Sequence, residues 1–232
     1  VDAAYSWAYD AQRASVSDSN STLVSGMANS GHTTRTLLLS RIANNTLLIS
    51  RGSASNFDPA AKVVSSGHCQ IKAFDLANVP DDGYNFNKDG QIMGWGLRNS
   101  VGMAEHPDTG GIFSVENSAD QLERDGHDIH QDNPGEEMNF HGFLNASQHG
   151  AQGSNYGYPY CFAAWMVDDI PRNANLRVGS QFVAGDQTSG VDDAFCAEQT
   201  PPILTFQAHM APLDIEFNDS ATEAWVTFHG SW

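Results

Sequence analysis

An all-β fold assembled from repeated antiparallel hairpins is predicted by three features of the 232-residue sequence. Long helical periodicity is hard to find, whereas short apolar runs separated by Asn, Asp, Gly and Pro recur throughout. Charged residues make up only 17% while Gly, Ser, Asn and Thr abound, which suits turn-rich β structure better than charged surface helices. Three stretches also share one strand–turn–strand plan.

In the first stretch, GHTTRTLLLSRIANNTLLISRGSAS (31–55), two apolar strands flank a turn at Asn44-Asn45. The second, GLRNSVGMAEHPDTGGIFSVENSAD (96–120), turns at the Pro-Asp-Thr-Gly-Gly run of 107–111. The third, QAHMAPLDIEFNDSATEAWVTFHGSW (207–232), turns between Asn218 and Thr222. Leu37, Val101 and Pro212 are comparable strand positions; their spacings are 64 and 111 residues, the second close to two repeats of roughly 55. A β-propeller or a β-sandwich array produces such a period. Because paired strands are antiparallel, residues before the first strand and after the second lie at the same end of a hairpin. Those residues are Gly31-His32 and Arg51-Gly52, Arg98-Asn99 and Asn117-Ser118, then His209 and His229-Gly230. Hairpins radiating about one axis bring these groups to one face, whereas a sandwich scatters them, so the propeller is preferred.

With 40% hydrophobic residues the chain buries a sizeable core as one domain or two small ones, which excludes intrinsic disorder. A net charge of −17, from 11 Lys and Arg against 28 Asp and Glu, repels nucleic acid and anionic membranes alike. The longest apolar stretch, Cys161 to Val167, is about seven residues, far short of the ~20 that cross a bilayer. Three cysteines leave one over: Cys161 and Cys196 can pair, with Cys69 free or bonded outside the chain. Four N-x-S/T sequons, at Asn20, Asn44, Asn145 and Asn218, and an acidic, Lys-poor composition favour a secreted eukaryotic protein. Val1 in place of an initiator Met, and Trp232 directly after an apparent strand, lead to the expectation that both ends are processed or truncated.

The motifs LRNSVG (97–102), ENSAD (116–120), PGEEMNF (134–140) and GSNYGYP (153–159), in that order, resemble the PQQ-dependent soluble glucose and sorbosone dehydrogenase superfamily. GHTTRTL (31–37), TPPILTFQAHMAPL (200–213) and WVTFHGSW (225–232) are similar to its fungal branch, the secreted pyranose dehydrogenases. The resemblance implies a six-bladed β-propeller with PQQ and calcium on its top face. At roughly 55 residues per blade the chain supplies about four blades. Residues 1–232 would then be a single catalytic domain incomplete at both ends, with the remainder of the propeller as a separate chain.

The resemblance also implies roles for individual residues. His32 takes the position of the general base for the anomeric hydroxyl, a task suited to imidazole. Gly31 stands where bacterial relatives carry an acidic residue, so the resemblance leaves open how the imidazole is oriented. Arg98 and Asn99 match the pair that reaches the cofactor and its reacting oxygen; a guanidinium can hold a carboxylate bidentately and stabilise developing charge. Arg51 is expected as a second cation for the cofactor, and His209 and His229 as cofactor neighbours. The backbone carbonyls of Ser118 and Ala119 match the ligands of the cofactor calcium, a hard cation that takes oxygen. Glu137, with Glu136 as the alternative, aligns with a carboxylate of a second, structural calcium, to which Tyr156 lends a backbone oxygen. The acidic segment 120–137 is read as a solvated insertion rather than a zinc site built on His127 and His130. The aromatic stretch from Tyr156 to Trp165 is assigned either to the substrate mouth or to packing around the disulfide.

The implied activity is oxidation of a pyranose sugar at C1 by hydride transfer to PQQ, with electrons passed to a cytochrome-type acceptor. A calcium-dependent propeller hydrolase of the lactonase type and a non-catalytic sugar-binding propeller are the alternatives.

Overall fold

The computed structural model describes residues 2–28, 30–144, 151–185 and 190–230; the sequon at Asn145 lies outside them. Strands dominate, as the sequence predicts, and the one α-helix among the described residues, α1 (Asp193–Ala197), is five residues long.

The chain opens with an antiparallel hairpin of β1 (Ala4–Asp10) and β2 (Ser15–Ser25). Next come β3 (Leu37–Leu39), β4 (Thr46–Arg51), β5 (Gln70–Asp75), β6 (Tyr84–Asn85) and β7 (Gln91–Trp95). Of these, β6 pairs parallel with β2, while β3, β4, β5 and β7 form an antiparallel meander. A second meander is made by β8 (Ser100–Glu105), β9 (Gly111–Glu116) and later strands, after a short hairpin of β10 (Glu123–Arg124) and β11 (His127–Asp128). Those later strands are β12 (Glu136–Phe143), which pairs with β9, and β16 (Leu204–Phe206), which pairs with β12. Between them lie β13 (Ser154–Asn155), added parallel to β7, and the antiparallel pair β14 (Cys161–Ala163) and β15 (Gln181–Val183). The described chain closes with the hairpin of β17 (Pro212–Phe217) and β18 (Ala224–Phe228).

Strand alternation determines how the sheets stack. In β4, Leu47 and Ile49 point into a cluster with Val24, Met27 and Phe86 of the N-terminal region, while Leu48 points the other way. Leu48 joins Ile71, Met93, Met103 and Ile112, which fill the space between the two meanders. On the far side of the second meander, Ala104, Val115 and Met138 pack on Ile215 of β17. Both meanders therefore bury both faces, which explains the unbroken apolar run of β4 in place of an apolar–polar alternation.

The first strands of three successive sheets lie side by side. The Thr36 hydroxyl, just before β3, donates to the carbonyl of Val101 in β8. Gly102 of β8 lies so close to β17 that a Cβ there would meet the Asp214 Cα at 2.6 Å, so only glycine permits this approach. Sheets radiating from a common axis have this arrangement.

Cys161 and Cys196 form a disulfide that ties β14 to α1, and Cys69 is a buried free thiol. Segment 120–137 departs from the solvated insertion expected of it. Leu122 and Ile129 are buried in the same cluster as Phe162 and Phe182, and the buried Arg124 pairs with Asp193 at 2.6 Å. An amphipathic hairpin rather than a solvated loop results, with His127 and Asp128 on its exposed side. Tyr156 and Tyr158 are buried as well, which assigns them to packing.

Candidate functional site

At one end of the sheets the loop backbones are stitched together in sequence. His32 N–H donates to the Ser53 carbonyl at 2.9 Å, and Ser53 N–H donates to the Arg98 carbonyl at 2.8 Å. Asn117 N–H then donates to the Asn99 carbonyl at 3.0 Å. These bonds join the entry to β3, the exit of β4, the entry to β8 and the exit of β9, the positions that hairpin geometry predicts to share an end. Gly52 is needed at the centre: a Cβ there would lie 2.7 Å from Asn99 Oδ1 and 2.9 Å from His32 Cβ.

His32 is half-buried, with Nδ1 2.8 Å from Ser53 Oγ. Burial, reinforced by the Arg98 charge, holds its pKa down at about 4, so the ring is neutral at neutral pH and able to accept a proton.

Arg98 is 5% exposed and oriented by four contacts. Nε donates to the Asn56 carbonyl, Nη1 to the Asn117 carbonyl, and Nη2 to Asn56 Oδ1 and Asp120 Oδ2. The fork is thus preset, with one Nη1 N–H left over by the described residues. Asp120 links this cation to the third hairpin, since its Oδ1 lies 3.9 Å from His209 Nδ1. His209 in turn contacts the His130 carbonyl through Nε2.

Glu136 ties the remaining loops together. Its Oε2 accepts the Ser118 N–H at 2.6 Å and its Oε1 accepts the Ala211 N–H at 3.3 Å. Burial outweighs both bonds and pushes its pKa up to about 7. The carbonyl oxygens of Asn117 and Asp120 accept bonds from Arg98 and Asn56, whereas no described residue donates to those of Ser118 or Ala119 between them. Two adjacent carbonyl oxygens without donors are suitable ligands for a hard cation. His229 arrives at the same end through its N–H bond to the Ala211 carbonyl, with its ring exposed.

Glu137, next along β12, faces the opposite way, into a buried polar compartment. Its Oε2 accepts from Asn139 Nδ2 at 3.0 Å and its Oε1 from Gln181 Nε2 at 3.4 Å. Gln181 Nε2 also reaches the Tyr156 carbonyl at 3.3 Å, and Glu116 lies close enough for its Oε2 to be 3.5 Å from Asn139 Nδ2. Burial pushes the Glu137 pKa up to about 7; Glu116 is raised by burial and by Glu137 itself. Asn139 Oδ1 and Gln181 Oε1 are buried without a hydrogen-bond partner among the described residues. A compartment this rich in carboxylate and amide oxygens fits a cation.

The structure therefore gathers His32, Arg98, Asn99, Ser118, Ala119, His209 and His229 at one end. Arg51 is not among them. Its guanidinium turns away and donates to Asn87 Oδ1 at 2.7 Å and to the Ala28 carbonyl at 2.8 Å, lying over the Phe86 ring. At 3% exposure it fastens the N-terminal segment to the first meander, because the last strand residue points into the inter-sheet core. Ser53, Asn56 and Asp120 support the site although sequence reasoning gave them no part in it; only the polar character of SASN (53–56) and ENSAD (116–120) offered a signal.

Comparison with known proteins adds the family context. The TrAA12-like family matches residues 1–232. The chain is 50% identical over 235 residues to a pyrroloquinoline quinone-dependent sugar dehydrogenase of Hypocrea jecorina, covering 100% of this chain and 54% of that protein. It is similar, with a TM-score of 0.95 and 50% identity, to the calcium structure of the Trichoderma reesei carbohydrate-active enzyme of family AA12, covering 99% of this chain and 57% of that one. To the holo form of the pyranose dehydrogenase PQQ domain from Coprinopsis cinerea the TM-score is 0.90 at 34% identity, covering 100% and 56%. The chain thus spans just over half the length of each of these relatives.

Proposed function

Because the chain belongs to the TrAA12-like family, whose relatives include PQQ-dependent sugar dehydrogenases, we propose that it contributes the substrate base and part of the cofactor cradle of a PQQ-dependent pyranose dehydrogenase. The observation that carries this reading is the convergence of a neutral His32, a preset Arg98 and the donor-free carbonyls of Ser118 and Ala119 at one end of the sheets.

PQQ, when bound with calcium, would supply the two-electron acceptor for a hydride from C1 of the sugar. His32, neutral and half-buried, would accept the proton of the anomeric hydroxyl. Arg98 directs its remaining N–H at an anionic oxygen from a fixed position, with no reorganisation during the reaction. The Ser118 and Ala119 carbonyls would hold the cofactor calcium, and Glu136 keeps their loop in place. Asn99, His209 and His229 lie at the rim where the cofactor is received. Glu137, with the Tyr156 carbonyl, serves a second calcium that is structural.

The same reading makes the chain about four blades of a six-bladed propeller, the rest supplied by a separate chain, in a secreted glycoprotein that passes electrons to a cytochrome-type acceptor. Exposed Trp7 on β1 and Trp225 on β18 are candidates for contact with the missing blades.

Titration of the complete protein, with its remaining blades present, with PQQ and calcium, followed by ultraviolet–visible absorption, tests the proposal. Bound quinone and oxidation of aldopyranoses with an artificial acceptor are expected, and His32→Ala should retain PQQ and lose most turnover. Absence of PQQ binding overturns the reading in favour of a hydrolase or a sugar-binding propeller.

A further inference from the structure

The base assigned to His32 needs one particular tautomer, and nothing in its own loop supplies it. Gly31 carries no orienting group, and none fits: a Cβ there would lie 2.4 Å from the Ala54 carbonyl carbon and 2.5 Å from its oxygen. The groups whose charges act on His32 are Arg98, Asp120 and Arg35, and none of them is its hydrogen-bonded partner at Nδ1.

That partner is Ser53 Oγ, at 2.8 Å. Ser53 is fully buried, and its position is set from both sides by its carbonyl, which accepts from His32 N–H, and its N–H, which donates to the Arg98 carbonyl. A hydroxyl has one proton, and Ser53 places it on the Ser55 carbonyl at 2.7 Å. With its proton committed there, the oxygen accepts from Nδ1, and the Ser53 carbonyl, which the ring also reaches, favours a proton on the same nitrogen. A neutral imidazole has a single N–H, so fixing it at Nδ1 strips Nε2 of its proton.

We propose that Ser53 is the positioning residue that holds His32 in the Nδ1–H tautomer and so leaves Nε2 as the proton acceptor, a role that rests on the base assignment made above. A hydroxyl orients the ring without bringing a negative charge, so the base remains weak and neutral rather than being drawn towards imidazolium by a carboxylate.

Nitrogen-15 NMR of histidine side chains in the cofactor-free protein, with the His32 signals identified by their loss in His32→Gln, reads the tautomer without turnover. Wild type should show protonated Nδ1 and bare Nε2. Ser53→Ala should shift His32 to mixed tautomers and lower kcat about tenfold or more, with PQQ affinity and KM unchanged. Ser53→Thr, which keeps the hydroxyl, should restore both signals and rate. A wild-type His32 protonated at Nε2, or a Ser53→Ala protein that keeps the Nδ1–H signature and full kcat, overturns the proposal. If His32→Ala retains turnover the base assignment falls, while the NMR comparison still decides whether Ser53 sets the tautomer.

Discussion

Glu136 accepts the Ser118 N–H at 2.6 Å, which ties the loop bearing two donor-free carbonyls to the first residue of β12. Its other oxygen reaches Ala211 at the entry to β17, so one carboxylate connects two sheets at the site. Replacing it by Ala removes both acceptors and lets the Ser118–Ala119 turn move. Calcium affinity measured calorimetrically in the presence of PQQ is expected to fall about tenfold or more, the scale typical of groups that orient metal ligands. Unchanged affinity would place calcium elsewhere.

The low pKa of His32, about 4, sets the acid side of the pH profile. A base of this kind is neutral and active above its pKa and loses its lone pair to a proton below it. The kcat for a pyranose should therefore stay level from pH 7 to about 5 and decline as pH falls through 4. An acid limb near the ordinary histidine value of 6.5 would show that burial and Arg98 do not depress this group.

Glu137 gives an opposite dependence in stability. Its folded-state pKa is raised to about 7 from the usual 4.5, because burial disfavours its charge by more than the hydrogen bonds from Asn139 and Gln181 favour it. A carboxyl raised in this way contributes its stabilisation fully below the unfolded pKa and loses it as pH rises through the folded one. In the absence of divalent cations, Tm should fall between pH 5 and 8. Glu137→Gln should flatten that fall, so that the variant gains on wild type by several degrees at the upper end. A gap between the two that does not widen with pH would be the contrary result.

Gly31 and Gly52 are both closely packed, yet their alanine variants should fail differently. At Gly31 the added carbon meets Ala54 backbone at 2.4 Å, which cannot yield without moving the strand exit, and loss of folding yield is expected. At Gly52 two of its nearest neighbours are the side chains of Asn99 and His32, at 2.7 and 2.9 Å. The Asn99 amide can swing away, but His32 Cβ moves only with its backbone, so Gly52→Ala should still fold, with a lowered Tm, while displacing the base. A displacement of about 1 Å is enough to cost roughly a hundredfold in kcat. Thermal melts and steady-state kinetics on both variants separate the two effects.

Much of this was legible in the amino-acid order. Apolar runs and turn residues identify the hairpins, and antiparallel pairing puts His32 at the end of Arg51-Gly52 and Arg98-Asn99 at the end of Asn117-Ser118; bringing these ends and His209 to one face takes, in addition, hairpins that radiate about one axis. The Cys161–Cys196 pairing was likewise accessible, since few partners existed. Which way a side chain points after a strand ends is a different matter. Arg51 and Ser53 lie two residues apart at the exit of β4, yet the first turns into the inter-sheet core beside Phe86 and the second beneath the base. Neighbouring Glu136 and Glu137 separate just as sharply, one holding the Ser118 loop and the other facing Asn139 and Gln181. Sequence determined which segments meet and at which end, through hydrophobic periodicity and turn chemistry. Only the packed sheets decided which polar groups share a compartment, because partners such as Ser118 for Glu136 and Gln181 for Glu137 lie 18 and 44 residues away along the chain and are selected by burial and hydrogen bonding in three dimensions.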